Sequence, residues 1–238
     1  MKLRLYTSSI VVEIIQNNNS GSIFMQEAID FDALEIRPIE PNDDITQLDC
    51  TQEDGSDPLG VQNFLQTHAR DYHAGRVSTV YVVKQGERIL AFFTLSMTGL
   101  RSNRVATGDM LTNFRPITYP AVLLGQMGVD KRYRGHRLGQ LICNYCLGLA
   151  QTISEQIASR YIALETNQDK VGYYNEKCGF RQSVEKNTSG RIWMYRRLTP
   201  QEITVSINET IGVTENVVVV TRRIEENDTN NSEGHEQQ

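Results

Sequence analysis

The chain has 238 residues, 39% of them hydrophobic, which is enough to bury a substantial core as one large domain or two small ones. Its 24 Lys and Arg stand against 29 Asp and Glu, and because Glu225 to Gln238 hold five of the acids and no Lys or Arg, residues 1–224 are formally neutral. A neutral body argues against a non-specific nucleic-acid coat, which needs a strongly basic domain, and no apolar run approaches the roughly 20 residues that span a bilayer.

Leu3 to Ile15 alternates apolar and polar residues and is interrupted by Glu13, so it is expected to be a strand and not a secretion signal; Asn17 to Ser22 then reads as a loop. Leu34 to Ile39 is a short strand bounded by Pro38 and Pro41, and Asn42-Asp43-Asp44-Ile45 has the look of a helix N-cap. Val61, Phe64, Leu65 and Ala69 recur at helical spacing. Ser78 to Val83 and Ile89 to Thr98 are β-rich runs joined by Lys84 to Arg88 with Gly86 at the turn, a hairpin signal. Thr98 to Pro120 lacks periodicity, and Ala121 to Val129 is a nearly continuous apolar run that suits a buried strand.

A helix is expected from about Leu138 to Ser159, then a strand (Tyr161 to Glu165), a short helix (Gln168 to Lys177) and a strand from Ile192 to Leu198. That order demands a crossover and a partly parallel sheet. Ile203 to Ile207 and Val213 to Arg222 are further strand candidates, and the acidic, Asn-rich Glu225 to Gln238 is expected to be disordered. Cys50 and Cys178 are isolated, and Cys143 and Cys146 lie inside a helix with no second pair. Four such cysteines suggest buried thiols in a reducing, cytoplasmic setting, neither a disulfide framework nor a metal site. The four histidines form no metal constellation, and Trp193 reads as core.

The informative stretch is Leu124 to Gln140, in which a buried strand runs into a loop holding Lys131, Arg132, Arg134, Gly135, His136 and Arg137 and then directly into a helix at Leu138-Gly139-Gln140. Backbone N–H groups at a helix start are unpaired and carry the positive end of the dipole, glycines let a ligand approach, and arginines grip phosphate oxygens. The segment reads as a pyrophosphate cradle; a solvated basic loop is the plain alternative. A second element comes next: Asn167 is a helix cap, Tyr173 and Tyr174 lie on the helix about 100° apart, and Gly179-Phe180 ends it.

Together the two segments resemble the GNAT superfamily of acetyl-CoA-dependent N-acyltransferases. Its phosphate motif, Gln or Arg, two residues, Gly or Ala, one residue, Gly or Ala, is aligned with Arg134 to Gly139, with Arg137 where a small residue is usual. Its later pattern, Asn, a spacer, an aromatic, Tyr, three residues, Gly-Phe, is aligned with Asn167, Tyr173-Tyr174 and Gly179-Phe180. Upstream, Leu48-Asp49-Cys50, Val61 to Arg70, Val80 to Val83 and Phe92 to Ser96 are similar to the subgroup that includes toxins acetylating aminoacyl-tRNA.

The resemblance implies an α/β (α+β) fold with a mixed, mostly antiparallel sheet flanked by helices. Four regions are expected: an N-terminal accessory β-element (1–33), the acetyltransferase domain (34–198), accessory strands (199–224) and the tail (225–238). It implies direct acetyl transfer from acetyl-CoA to an amine. The cofactor would be held by Met127, Gly128 and Val129, by Arg134, Gly135, His136, Arg137, Leu138, Gly139 and Gln140, and by Asn167, with Tyr174 protonating the leaving thiolate. Glu165, at a strand end, or a water on Gln126 is the candidate base. No metal or membrane is implied. The acceptor stays open between a protein amine, a small amine and aminoacyl-tRNA, the terminal strands allow a homodimer, and a non-catalytic acyl-CoA-binding regulatory or interaction protein is the rival reading.

Overall fold

The apolar runs between Leu34 and Arg197 assemble into one sheet. The computed structural model describes residues 29–185 and 190–198; the strands expected at 3–15, 203–207 and 213–222 and the tail lie outside them. Among the described residues the strands are β1 (Leu34–Pro38), β2 (Thr79–Gln85), β3 (Arg88–Arg101), β4 (Thr118–Val129), β5 (Tyr161–Thr166), β6 (Arg181–Gln182) and β7 (Ile192–Arg197), and the seven pair in the order β1-β2-β3-β4-β5-β7-β6. The helices are α1 (Val61–Thr67), α2 (Ala69–Ala74), α3 (Leu138–Gln156) and α4 (Gln168–Cys178). Among the described strands only β4 and β5 pair in parallel, with α3 as the crossover that such a pair requires.

The continuous apolar run of β4 has a plain cause, which is cover on both faces. Val122 and Leu124 pack with Leu138, Ile142, Cys146 and Ala150 of α3, while Tyr119 and Ala121 lie on the opposite face beneath the 102–117 connection. A third cluster, built on Phe64, Leu65, Val80, Val82 and Phe92, seats α1 and α2 on that same opposite face. Helical spacing across 61–74 yields two short helices and not one, because His68 at φ −127°, ψ −21° breaks the run. The connection expected to be irregular carries two 3-10 turns, and Asp109 holds it down: its carbonyl accepts from the Tyr161 hydroxyl at 2.6 Å, and its carboxylate from Arg181 at 3.0 Å and Tyr195 at 2.9 Å.

No helix starts at Asn42. Asp43, which has the residue type of an N-cap, is committed elsewhere: its carboxylate takes two bonds of 2.7 Å from the Arg37 guanidinium, one of 2.7 Å from the Glu40 N–H and one of 3.2 Å from Lys84 Nζ. This buried hub ties β1, β2 and the following loop together. The Arg37 guanidinium holds the Asp43 carboxyl well below the usual carboxylate range. A depressed folded-state pKa contributes stability that is complete above the ordinary carboxyl pKa of about 4 and fades as the pH falls below it. Asp43→Asn deprives the buried Lys84 and the partly buried Arg37 of the carboxylate they share, so it should lower the unfolding free energy by about 3 kcal/mol at neutral pH and flatten the acid limb of the stability curve. Urea titrations from neutral to acid pH measure both.

Candidate active site

A bulge in the middle of the sheet creates the site. β4 pairs with β5 only over Ala121–Leu124. Against β3, Leu124 pairs with Leu95 and Met127 with Phe93, so Gly125 and Gln126 together oppose the single residue Thr94. An extra residue of this kind bends its strand and sharpens the twist. Thr94 Oγ1 fixes the bend by accepting from the Gln126 N–H at 2.9 Å. Met127–Val129 therefore diverge from β5 and, with α4 and the 50–61 loop, enclose a cleft of 870 Å³.

One end of the cleft is the loop and helix start at 133–140. Tyr133, Arg134, Gly135, Arg137, Leu138, Gly139 and Gln140 line it, as do Met127, Gly128 and Val129, while His136 does not. The first intrahelical bond runs from Leu141 N–H to Arg137 O, leaving the N–H groups of the opening turn without helical partners. Of the four basic residues read as a cradle, three hold the loop together. Lys131 pairs with Asp49, and Arg132 with the fully buried Asp130 at 2.8 Å. Arg134 donates to Cys50 O at 2.9 Å and to Val129 O at 3.3 Å. Burial alone would raise the Asp130 carboxyl, but Arg132 and the Asp49 and Arg132 N–H groups hold it below the ordinary range. Arg137 differs from these: it is exposed, its side chain caps nothing, and it takes φ 61°, a left-handed conformation that costs a non-glycine residue about 1 kcal/mol.

The other wall is α4, which presents Lys170, Tyr173, Tyr174, Glu176 and Lys177. The family spacing does not transfer intact. Four residues, not three, separate Tyr174 from Gly179, so Asn175 stands at the motif distance. Asn175 is exposed and donates to Phe180 O at 2.9 Å as part of the helix end. Both tyrosines of the pair line the cleft. The Tyr173 hydroxyl rests against Gly139 at the start of α3, where a Cβ would collide with it. Tyr174 meets Phe180 edge-on at 6.1 Å, between the cleft and the main core. Burial pushes both phenols above their usual range, so each is an O–H donor at neutral pH.

Asn167 caps α4 by backbone position only, and its buried Oδ1 has no partner among the described residues. Glu165 pairs with Trp193 of β7. Strand alternation puts it on the face of Tyr161 and Ala163, opposite α3 and α4. Neither Asn167 nor Glu165 lines the cleft.

The wall that sequence reasoning missed is the loop with Cys50, Glu53, Ser56, Asp57, Pro58 and Leu59. Its signal was the dense turn chemistry around Gly55 and Pro58, with Asp57 accepting from Val61 N–H at 2.8 Å to start α1. Burial pushes the Cys50 thiol up to about 12, so it meets the cleft protonated. Electrostatically the neutral total hides two halves. Residues 29–87, which build β1, β2 and the 50–61 wall of the cleft, hold twelve acids and four bases, whereas 88–198 hold sixteen bases and seven acids.

The profile of the acetyltransferase (GNAT) family matches residues 43–180, and the chain belongs to that family. No curated protein sequence matches it. Solved structures share the fold at low identity. The crystal structure of a KacT Y145F mutant has a TM-score of 0.61 at 21% identity, covering 73% of this chain and 99% of that one. AtaT complexed with acetyl-methionyl-tRNAfMet gives 0.61 at 17% identity, covering 73% and 99%. AtaTR bound with acetyl-CoA gives 0.59 at 19% identity, covering 74% and 99%. Among the described residues no helix is long and apolar enough to cross a membrane, and no group of three or more His, Cys, Asp or Glu could hold a metal ion.

Gly128 shows how tightly the cleft floor is built. A Cβ there would stand 2.6 Å from Cys50 Sγ, 2.7 Å from Phe92 Cε1 and 2.9 Å from Val61 Cγ1. Gly128→Ala should therefore destabilise the protein by about 1–3 kcal/mol through overpacking. Chemical denaturation measures this directly.

Proposed function

We propose that the protein is an N-acetyltransferase that moves the acetyl group of acetyl-CoA directly to a primary amine. The observation that carries this reading is the bulge-opened cleft, with an unpaired helix start at one end and two protonated tyrosines along its wall. The residues present suit the co-substrate. The N–H groups of Leu138, Gly139 and Gln140 and the Arg137 side chain face the end where a pyrophosphate would sit. The outer edge of β4 at Met127–Val129 has no strand partner among the described residues, so it offers backbone groups to pantetheine amides. The unpartnered Asn167 Oδ1 is an acceptor for an amide N–H. His136 contributes through its backbone in the same loop.

Bound acetyl-CoA supplies the reactive thioester. Tyr174 gives its proton to the departing thiolate, and Glu165, on the other face of the sheet, takes the proton of the attacking amine, directly or through a water on Gln126. Acid and base thus approach from opposite faces of the diverging strands, and holding both partners in one cleft supplies much of the rate. The Tyr173 hydroxyl, beside Gly139, serves the phosphate end.

The basic excess of residues 88–198 favours an acceptor amine carried on a polyanion, and aminoacyl-tRNA is the acceptor that fits. Following labelled acetyl groups into RNA, protein and small-molecule fractions tests it. Label in RNA that is lost on deacylation supports the assignment, and label confined to protein or small amines overturns it. A protein that binds acetyl-CoA but transfers to none of these pools would instead be the non-catalytic binding module.

Two sets of variants test the site. At 100 times its dissociation constant, acetyl-CoA should stabilise the protein by about 2.7 kcal/mol. Arg137→Ala should shrink that gain by removing a charged phosphate contact, while the unliganded melting temperature stays put. Tyr174→Phe should lower kcat by about 10²–10⁴ with acetyl-CoA affinity kept, because only the proton donor is lost. Tyr173→Phe should raise KM for acetyl-CoA and spare kcat. The reverse pattern would exchange the roles of the two tyrosines.

A further inference from the structure

Three buried thiols from two helices converge beneath the cleft: Cys143 and Cys146 of α3 and Cys178, the last residue of α4. Cys143 and Cys178 are 2% and 4% exposed, and their Sγ atoms are 2.7 Å apart. That separation is well inside the roughly 3.5–4.0 Å at which even carbon atoms rest in contact, and sulfur is larger. It lies closer to the bond length of about 2.05 Å than to any comfortable contact between two thiols. We propose that Cys143 and Cys178 are a disulfide-forming pair that covalently joins α3 to α4.

The alternatives are weaker. Among the described residues no group of three or more His, Cys, Asp or Glu is placed to hold a metal ion. Cys50 belongs to a separate core cluster and cannot reach either thiol. Cys146 lies one turn along α3 from Cys143, and its thiol is buried among core residues.

In the reaction both S–H bonds are lost and one S–S bond forms. The two electrons and two protons pass to a small-molecule disulfide, which leaves as two thiols. Contact with Cys178 and burial hold the Cys143 thiol well above its ordinary range, so thiolate is scarce at neutral pH. Exchange is consequently slow and accelerates as the pH rises. Once formed, the bond closes the chain between residues 143 and 178 and restricts the unfolded ensemble. It also fixes the two walls that carry Gly139 and Tyr173, next to both sulfurs.

The test uses the full chain equilibrated at about pH 8.5, near an ordinary thiol pKa, with mixtures of oxidised and reduced dithiothreitol, then denatured and alkylated. In the oxidising mixtures two of the four cysteines should escape alkylation, the unalkylated mass should fall by about 2 Da, and one bridged peptide should contain Cys143 and Cys178. The oxidised form should melt at higher temperature, and reduced dithiothreitol should reverse every change. A Cys50→Ser/Cys146→Ser double variant should still form the bridge, and Cys178→Ala should not. Four alkylated cysteines in the most oxidising mixture, or a bridge between any other pair, overturns the proposal. The peptide map of the unmodified chain decides it even where a variant fails to fold.

Discussion

Everything in the site depends on one irregularity in strand pairing, the two-against-one opposition of Gly125 and Gln126 to Thr94. Were β4 regular, it would stay paired with β5 to its end, and the sheet would offer no opening between its central strands. The bulge ends that pairing at Leu124 while leaving β4 attached to β3, so the strand turns away without losing its ladder on one side. The chain beyond β4 is displaced with it: the loop at 130–137 and the start of α3 are carried to the end of a cleft whose far wall is α4. A single threonine hydroxyl in place of a ladder partner thus sets the position of the α3 start relative to Tyr173 and Tyr174.

Much of the charge around the cleft is structural. Asp130 is buried beneath the loop and takes bonds from Arg132 and from the Asp49 N–H, while Lys131 donates its backbone N–H to Asp49 O. Arg134 completes the stitching through Cys50 O. These contacts press the 49–61 segment against the end of β4 and turn a turn-rich loop into a cleft wall. The result is a division of labour in which three cations shape the pocket while the fourth, Arg137, stands exposed at its edge.

The elements with strong periodicity were legible from the chain alone: β2, β3, β4, α3, β5, α4 and β7 each fall within a few residues of their expected limits, and the mixed sheet comes from their order. Positions governed by long-range bonds were not. Asp43 looks like a helix cap to a local rule and is a hub for Arg37 and Lys84, the latter 41 residues away. His68 splits a helix that apolar spacing alone continues, and the two-residue β6 has too little sequence to announce itself. At the cleft, the basic loop before α3 and the tyrosine pair on α4 were readable as elements because a helix start and a helix face are local objects. The surplus residue between Tyr174 and Gly179 is local too and shows on counting, whereas the contact of Cys143 with Cys178 joins segments that no spacing relates.

The opposite signs of residues 29–87 and 88–198 act on how the molecule meets other charged bodies. A body with no net charge has no monopole to draw it toward a charged surface, but separated charges form a dipole, and a dipole in a non-uniform field feels a torque. Near a polyanion such a body turns its basic side inward and its acidic side outward before any contact is made. Orientation is thus selected during approach, and added salt, by shortening the reach of the field, slows productive docking more than it weakens the docked state.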